Sequence, residues 1–219
     1  MSAAQREREV EMGRRVHARL LDVLGAAVDA GLDGASPSLL DGWNRSMLIT
    51  HLARNADSHR RMIDAAGRGE VVDQYEGGLD GRNDGIDAGT NVSAADALAG
   101  LRAATAALEA SWEQTDWVGS GRRTIAGAAT PIERLPFLRT REVELHLIDL
   151  DVGVGLADLD GLYVRLELSQ MQMRWRARQP MGMGSMPDAV RALTPTDRVG
   201  WLTGRRVVPG ADPAGLFGA

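Results

Sequence analysis

A chain of 219 residues with formal charge −5 is long enough for one large domain, or for a domain with a sizeable extension. It has no cysteine, which excludes disulfides, thiolate metal sites and a cysteine nucleophile; any thiol chemistry needs a thiol brought by another molecule. Acidic and basic residues are mixed rather than clustered, which argues against general nucleic-acid binding, and a charged N-terminus with no membrane-length apolar run points to a cytoplasmic protein.

Residues 4–30 read as a first helix, with Met12, Val16, Leu20, Val23 and Ala27 at helical spacing. "AGLDGASPS" breaks it with glycines and a proline. A second helix is expected over 46–66. On a wheel at about 100° per residue, Met47, Leu48, Leu52, Ala56, Met62 and Ile63 form its apolar side. Thr50, Asp57, Arg60 and Arg61 fall on the other side, whereas His51, Asn55 and His59 fall inside the apolar side at i, i+4 and i+8.

Residues 67–92 form a long glycine-rich connection of the kind that often carries function. A short helix around 82–87 fits within it. Its "DGRNDG" is not a calcium loop, because Arg82 stands at a ligand position and no glutamate closes it. Ser93 opens a third helix, with Asp96 three residues on and a stripe of Leu98, Leu101, Thr105, Leu108 and Trp112. "VGSGRRTIAGAATP" reads as a second glycine-rich loop.

A fourth helix is expected over 131–152, ended by "GVGLADLDG". Residues 159–178 read as a further helix, with Leu162, Leu166, Met173 and Trp175 for burial, although "YVRLELSQMQMRW" also alternates as a strand would. "PMGMGSMP" is a loop, and "TPTDRVGWLTGR" a last short helix capped by Thr194 or Thr196. The sum is an all-α chain: an antiparallel four-helix bundle over 1–155 and a short, mainly helical C-terminal extension over 156–219.

The fourth helix carries the anomaly. Leu135, Leu138, Val143, Leu145 and Leu150 mark its apolar side, with Glu142 and His146 near the middle of it. Glu144 and Asp151 fall opposite, toward solvent. The i, i+4 spacing sets Glu142 beside His146, and a buried carboxylate needs a neutraliser. A Glu–His ion pair, a nearby arginine, or a divalent metal would serve. Two His and one Glu make the three-ligand set of a catalytic zinc with one position open, and facing helices of a bundle build such sites. His51 and His59 both offer the third ligand, but roughly 12 Å of helix separates them, so one metal takes one of them. His59, near the end of the apolar arc, reads as a core-edge or surface residue, and His17 as an ordinary one. Asp149 shares the side of Glu142 and His146, where it would orient a ligand histidine or pair at the helix end.

"GWNRSMLITHLARNADSHRRMI", "GRNDGIDAGT", "LPFLRTREVELHLIDLDVG" and "DRVGWLTGR" resemble the mycothiol-dependent maleylpyruvate isomerase family, within the DinB-like metal-binding bundles. The resemblance implies a zinc site of His51, Glu142 and His146. It implies that Arg82 and Arg205 serve the substrate or the thiol, and that mycothiol is the thiol. Asn55, one turn after His51, would face the same cavity.

Isomerases of the family usually carry a larger C-terminal domain before the "WLTGR" segment, so about fifty residues look short there. Met171, Met173, Met181, Met183 and Met186 would adapt to a changed pocket or simply pack. The implied chemistry is thiolate addition to an activated double bond, rotation and elimination, with a small thiol and a small carboxylate as partners. An S-transferase that conjugates electrophiles, and a metal-binding module without turnover, are the alternatives.

Overall fold

The computed structural model describes residues 1–124, 127, 129–179 and 185–216. Two compact units divide the chain, Met1–Gly153 and Val154–Ala219.

The first unit is a four-helix bundle. Its long helices are α1 (Ala3–Asp29), α2 (Arg45–Ala66), α4 (Ala94–Gln114) and α5 (Leu135–Asp149), with the short α3 (Gly78–Asp87) between α2 and α4. The starts of α1, α2 and α4 are fixed by capping side chains: Ser2, Asn44 and Ser93 each accept a backbone N–H of the first turn. α1 and α2 each pack against both α4 and α5. The core between them is made of Leu20, Leu24, Leu48, Leu52, Leu101 and Leu108, all at or near zero exposure. Burying side chains of this size stabilises by about 1.5–3 kcal/mol each before entropy is counted.

The connection between α2 and α4 is better ordered than a glycine-rich loop suggests. Gly77 and Gly78 take left-handed backbone, φ 75° and 66°, and turn the chain into α3. The "DGRNDG" segment lies within this helix. The second loop also departs from expectation. It forms a two-stranded antiparallel ladder, β1 (Ser120–Arg122) and β2 (Ala129–Pro131), with Gly121 opposite Thr130. Strands of three residues carry too little alternation to be read from sequence. The Arg122 N–H donates to the Val72 carbonyl, and the Gln74 N–H donates to the Arg122 carbonyl. Gly121 presses onto α2, where a Cβ would come within 2.5 Å of the Met62 sulfur. The hairpin and the 72–75 segment are thus stitched together over α2.

Two further ties set α2 against the end of α5. Arg45 donates to the carbonyls of Leu150 and Asp151 at 3.0 and 3.1 Å, and the Leu39 N–H donates to the Asp149 carbonyl at 2.7 Å. These bonds satisfy carbonyls that a helix C-terminus leaves open.

The second unit holds α6 (Gly161–Ala177), α7 (Asp188–Arg191) and α8 (Pro195–Leu202). The 159–178 segment is helical, not a strand: Asp160 accepts from the N–H groups of Leu162 and Tyr163 and starts it. Thr194, not Thr196, caps α8 through a bond from the Asp197 N–H. Trp175 and Trp201 meet at 6.0 Å between ring centroids in a core with Met171, Met186, Val190 and Leu202. The buried face of α6 runs through Tyr163, Val164, Glu167, Met171 and Trp175. Met173, expected inside, is 61% exposed. Met181 and Met183 lie outside the described residues. Among the described residues, no helix is long and apolar enough to cross a membrane.

Candidate functional site

α5 is buried on almost every side. Of its residues, Glu142 and His146 alone are not fully buried. The amphipathic reading of this helix is therefore corrected. Glu142 and His146 do not sit in an apolar contact face; they face the one gap in the packing around α5. Glu144, expected toward solvent, is fully buried and paired with Arg19 of α1. A wheel cannot tell a helix enclosed by neighbours from one lying on a surface, because it carries no information on what covers the polar side.

His51 of α2 meets that gap. Its Nε2 lies 3.3 Å from Glu142 Oε2, and His146 Nε2 lies 3.5 Å from the same oxygen. One donor atom from each of the three residues falls within 4.8 Å of the others. The two imidazoles meet edge to face at 5.0 Å. Tetrahedral donors around a zinc at about 2.0–2.1 Å stand roughly 3.3 Å apart, so the observed separations suit a single ion. The donor set of two imidazole nitrogens and a carboxylate oxygen is also right for zinc or a similar divalent metal. His146 Nδ1 is bonded to Asp149 Oδ2 at 2.9 Å. With Nδ1 engaged by Asp149, Nε2 is the nitrogen that faces Glu142 and would be the one offered to a metal. Asp149 thus orients the histidine.

The electrostatics agree with the geometry. Burial opposes charge on Glu142, yet the hydrogen bonds from His146 and His51 outweigh it and hold the carboxyl well below its usual range. His51 is pushed down to about 4 by burial, so it is neutral and able to ligate. Burial also opposes charge on His146, but the Asp149 and Glu142 carboxylates outweigh it and raise its pKa.

The remaining histidines fall elsewhere. His59, expected at the edge of the core or on the surface, is buried, and its Nδ1 has no hydrogen-bond partner among the described residues. It does not join the cluster. His17 is buried as well. Its Nδ1 bonds Glu109 at 2.7 Å, its Nε2 receives the Nε–H of Arg139 at 3.2 Å, and its ring stacks on Trp112.

A small pocket of about 40 Å³ opens on the cluster, lined by His51, Asn55, Gln74, Tyr75, Arg82, Arg123, Thr124 and Glu142. A wider cleft of about 550 Å³ lies beside it and shares Gln74, Tyr75 and Arg82 as wall residues. Arg82 stands at the junction, its guanidinium 5.8 Å from the ring centre of Trp43. Trp43 in turn meets His51 edge-on at 5.4 Å. The expected residues His51, Asn55, Arg82, Glu142 and His146 are therefore brought together in the first unit. Arg205 lies in the second unit, where it donates to the Thr203 carbonyl at 2.8 Å. Sequence reasoning missed Gln74, Tyr75, Arg123 and Thr124. Only the length of the glycine-rich connection hinted at the first two, and the hairpin that presents the others was not foreseen.

Residues 14–151 match the mycothiol maleylpyruvate isomerase N-terminal domain. The chain belongs to this family. The match covers the bundle from the middle of α1 onward and every member of the histidine–glutamate cluster. The fold agrees with solved structures. A crystal structure of the mycothiol-dependent maleylpyruvate isomerase superposes with a TM-score of 0.80 at 21% identity, covering 94% of this chain and 93% of that one. A histidine-to-alanine mutant of that isomerase matches at 0.79, with the same identity and coverage. No curated protein matches the sequence. The all-α, DinB-like bundle is the fold of this family member. Because both chains are covered almost end to end, the C-terminal region is not short beside that isomerase, contrary to expectation.

Proposed function

We propose that the protein is a cytoplasmic, zinc-dependent cis–trans isomerase that uses mycothiol and acts on maleylpyruvate-like dicarboxylates. The observation that carries this reading is the convergence of His51, Glu142 and His146 on one point, beside Arg82, in a member of this family.

His51 and His146 would hold the metal through Nε2, and Glu142 through its carboxylate. A metal bound there would supply Lewis acidity that favours the thiolate form of a thiol at neutral pH. The thiol, when bound, would supply reversible addition to an activated double bond, so that rotation and elimination would yield the trans alkene with the thiol recovered. The adjoining cleft, walled by Asp57, Arg60, Arg61, Asp64 and Glu76, suits a hydrophilic thiol.

The chain's own residues do the positioning. Asp149 keeps His146 in its ligating tautomer. Arg82, at the junction of pocket and cleft, binds a substrate carboxylate or the thiol's polar groups by charge-assisted bonds. Asn55 lines the thiol and substrate pocket. Arg205 is assigned to substrate or thiol on family resemblance alone.

The test sets wild type beside His51→Ala. The expected result is one divalent metal per chain, and mycothiol-dependent isomerisation of maleylpyruvate with the thiol recovered. The substitution removes both metal and turnover. Carefully purified wild type without metal would sink the reading. A stable thioether product would replace it with the S-transferase.

A further inference from the structure

Arg122 and Arg123 are neighbours with different surroundings. Arg122 closes β1, its backbone bonded on both sides to the 72–74 segment, and its guanidinium turns to Asp73 at 2.7 Å. Successive side chains of an extended segment point to opposite sides. Arg123 accordingly turns the other way and lines the small pocket with Glu142, His51 and Arg82. The Thr124 N–H, bonded to Gln74 Oε1 at 3.4 Å, anchors the next residue. The charge of Arg123 reaches as far inward as the buried His59.

Among the described residues the pocket wall carries two guanidinium groups, Arg82 and Arg123, and one carboxylate, Glu142. About 40 Å³ has room for one carboxylate group rather than a whole substrate. Arg123 lines only this inner pocket, whereas Arg82 also faces the cleft.

We propose that Arg123 is a further substrate-binding residue: it takes one carboxylate of a dicarboxylate in the inner pocket while Arg82 takes the other at the junction. The inference rests on the isomerase reading and names what would select a diacid over a monoacid at that site. Guanidinium suits the role because its fork bonds a carboxylate at two points.

The experiment compares wild type, Arg123→Gln and, as an outward-facing control, Arg122→Gln, all loaded with zinc. Turnover is measured with a cis-alkene diacid and with the same compound amidated at one carboxylate. For Arg123→Gln the KM for the diacid rises on the order of tenfold, the loss of one charge-assisted pair. Its kcat, its KM for the monoamide and its zinc content stay near wild type, and Arg122→Gln changes none of these.

Calorimetry with succinate and propionate on the zinc-loaded proteins keeps the inference separable from the isomerase reading. If wild type turns nothing over, tighter binding of succinate than of propionate, lost in Arg123→Gln, still supports the diacid site. Equal binding of the two acids, or an unchanged response to the diacid in Arg123→Gln, overturns it. If Arg123→Gln does not fold, Arg123→Lys replaces it: the fork is lost with the charge kept, and a weakened preference for the diacid supports the site while an unaltered one overturns it.

Discussion

Arg139 of α5, wholly buried, donates from Nη1 to the side-chain oxygen of Asn55 on α2 at 2.9 Å. The same nitrogen donates to the Leu52 carbonyl at 2.8 Å, and Nε donates to His17. Burial lowers the guanidinium pKa only to about 10, so the group remains charged in the core. Arg139 fixes the amide of Asn55: with Oδ1 occupied, the NH2 end is the one left for the pocket that Asn55 lines beside Tyr75.

Substitutions at Asn55 should therefore separate. Asn55→Asp keeps the acceptor for Arg139, and its melting free energy should stay within about 1 kcal/mol of wild type. Asn55→Leu leaves part of a buried cation unanswered and should cost roughly 3–5 kcal/mol. Both remove the amide donor from the pocket, so both should lower turnover. Chemical denaturation beside steady-state kinetics checks the pair, and equal stability of the two variants would refute the role given to Arg139.

The buried His17 should make stability depend on pH. Its pKa is pushed down to about 4, first by burial, with the Arg139 charge adding to it against the Glu109 hydrogen bond. Its Nε2 already accepts the Arg139 N–H, so a second proton there meets a donor. An unfolded histidine titrates near 6.5. Between these values the unfolded chain binds the proton and the folded one does not, so stability is complete above pH 6.5 and is lost as pH falls toward 4. The difference amounts to about 3 kcal/mol. Denaturant melts of the metal-free protein from pH 7 to 4 should show this slope, and His17→Asn should flatten part of it. His59, pushed to about 3 by burial, contributes in the same direction.

Much of this site was legible before any coordinates. Glu142 and His146 stood out because a wheel put polar groups among leucines, whereas spacing left His51 and His59 both open and only the family resemblance chose His51. Those signals are local, and the bundle preserved them. What stayed hidden depends on neighbours distant in sequence. His59 is enclosed and Glu144 is covered by α1, although each looked peripheral on its own helix. Tyr75 and Arg123 reach the pocket only because Arg122 bonds to residues 72 and 74 across some fifty residues of chain. No periodicity encodes that contact.

Removal of the orienting carboxylate tests the metal site without touching a ligand. Asp149→Asn keeps the size of the side chain but weakens the bond to His146 Nδ1. Metal affinity should fall by about 10–100-fold. Competition with a chromophoric chelator measures it. His59→Gln, by contrast, should leave metal affinity unchanged, since His59 lies outside the donor cluster. A large loss in that variant would mean that the wrong histidine of α2 has been assigned.

Glu142 and Glu144 sit two residues apart and should fail in opposite ways. Glu142 is 27% exposed in its side chain and faces the pocket, so Glu142→Gln should lose metal and turnover while the metal-free protein melts close to wild type. Glu144 is fully buried against Arg19, whose side chain is partly open to water. Glu144→Ala leaves a cavity and strands that arginine beside the core, and solvent screening of Arg19 moderates the loss to roughly 1–3 kcal/mol. Its metal content should be unaffected once folded. Thermal melts and metal analysis on the two variants decide the matter. A metal-free Glu144→Ala protein of normal stability would make Glu144, and not Glu142, the metal-site residue.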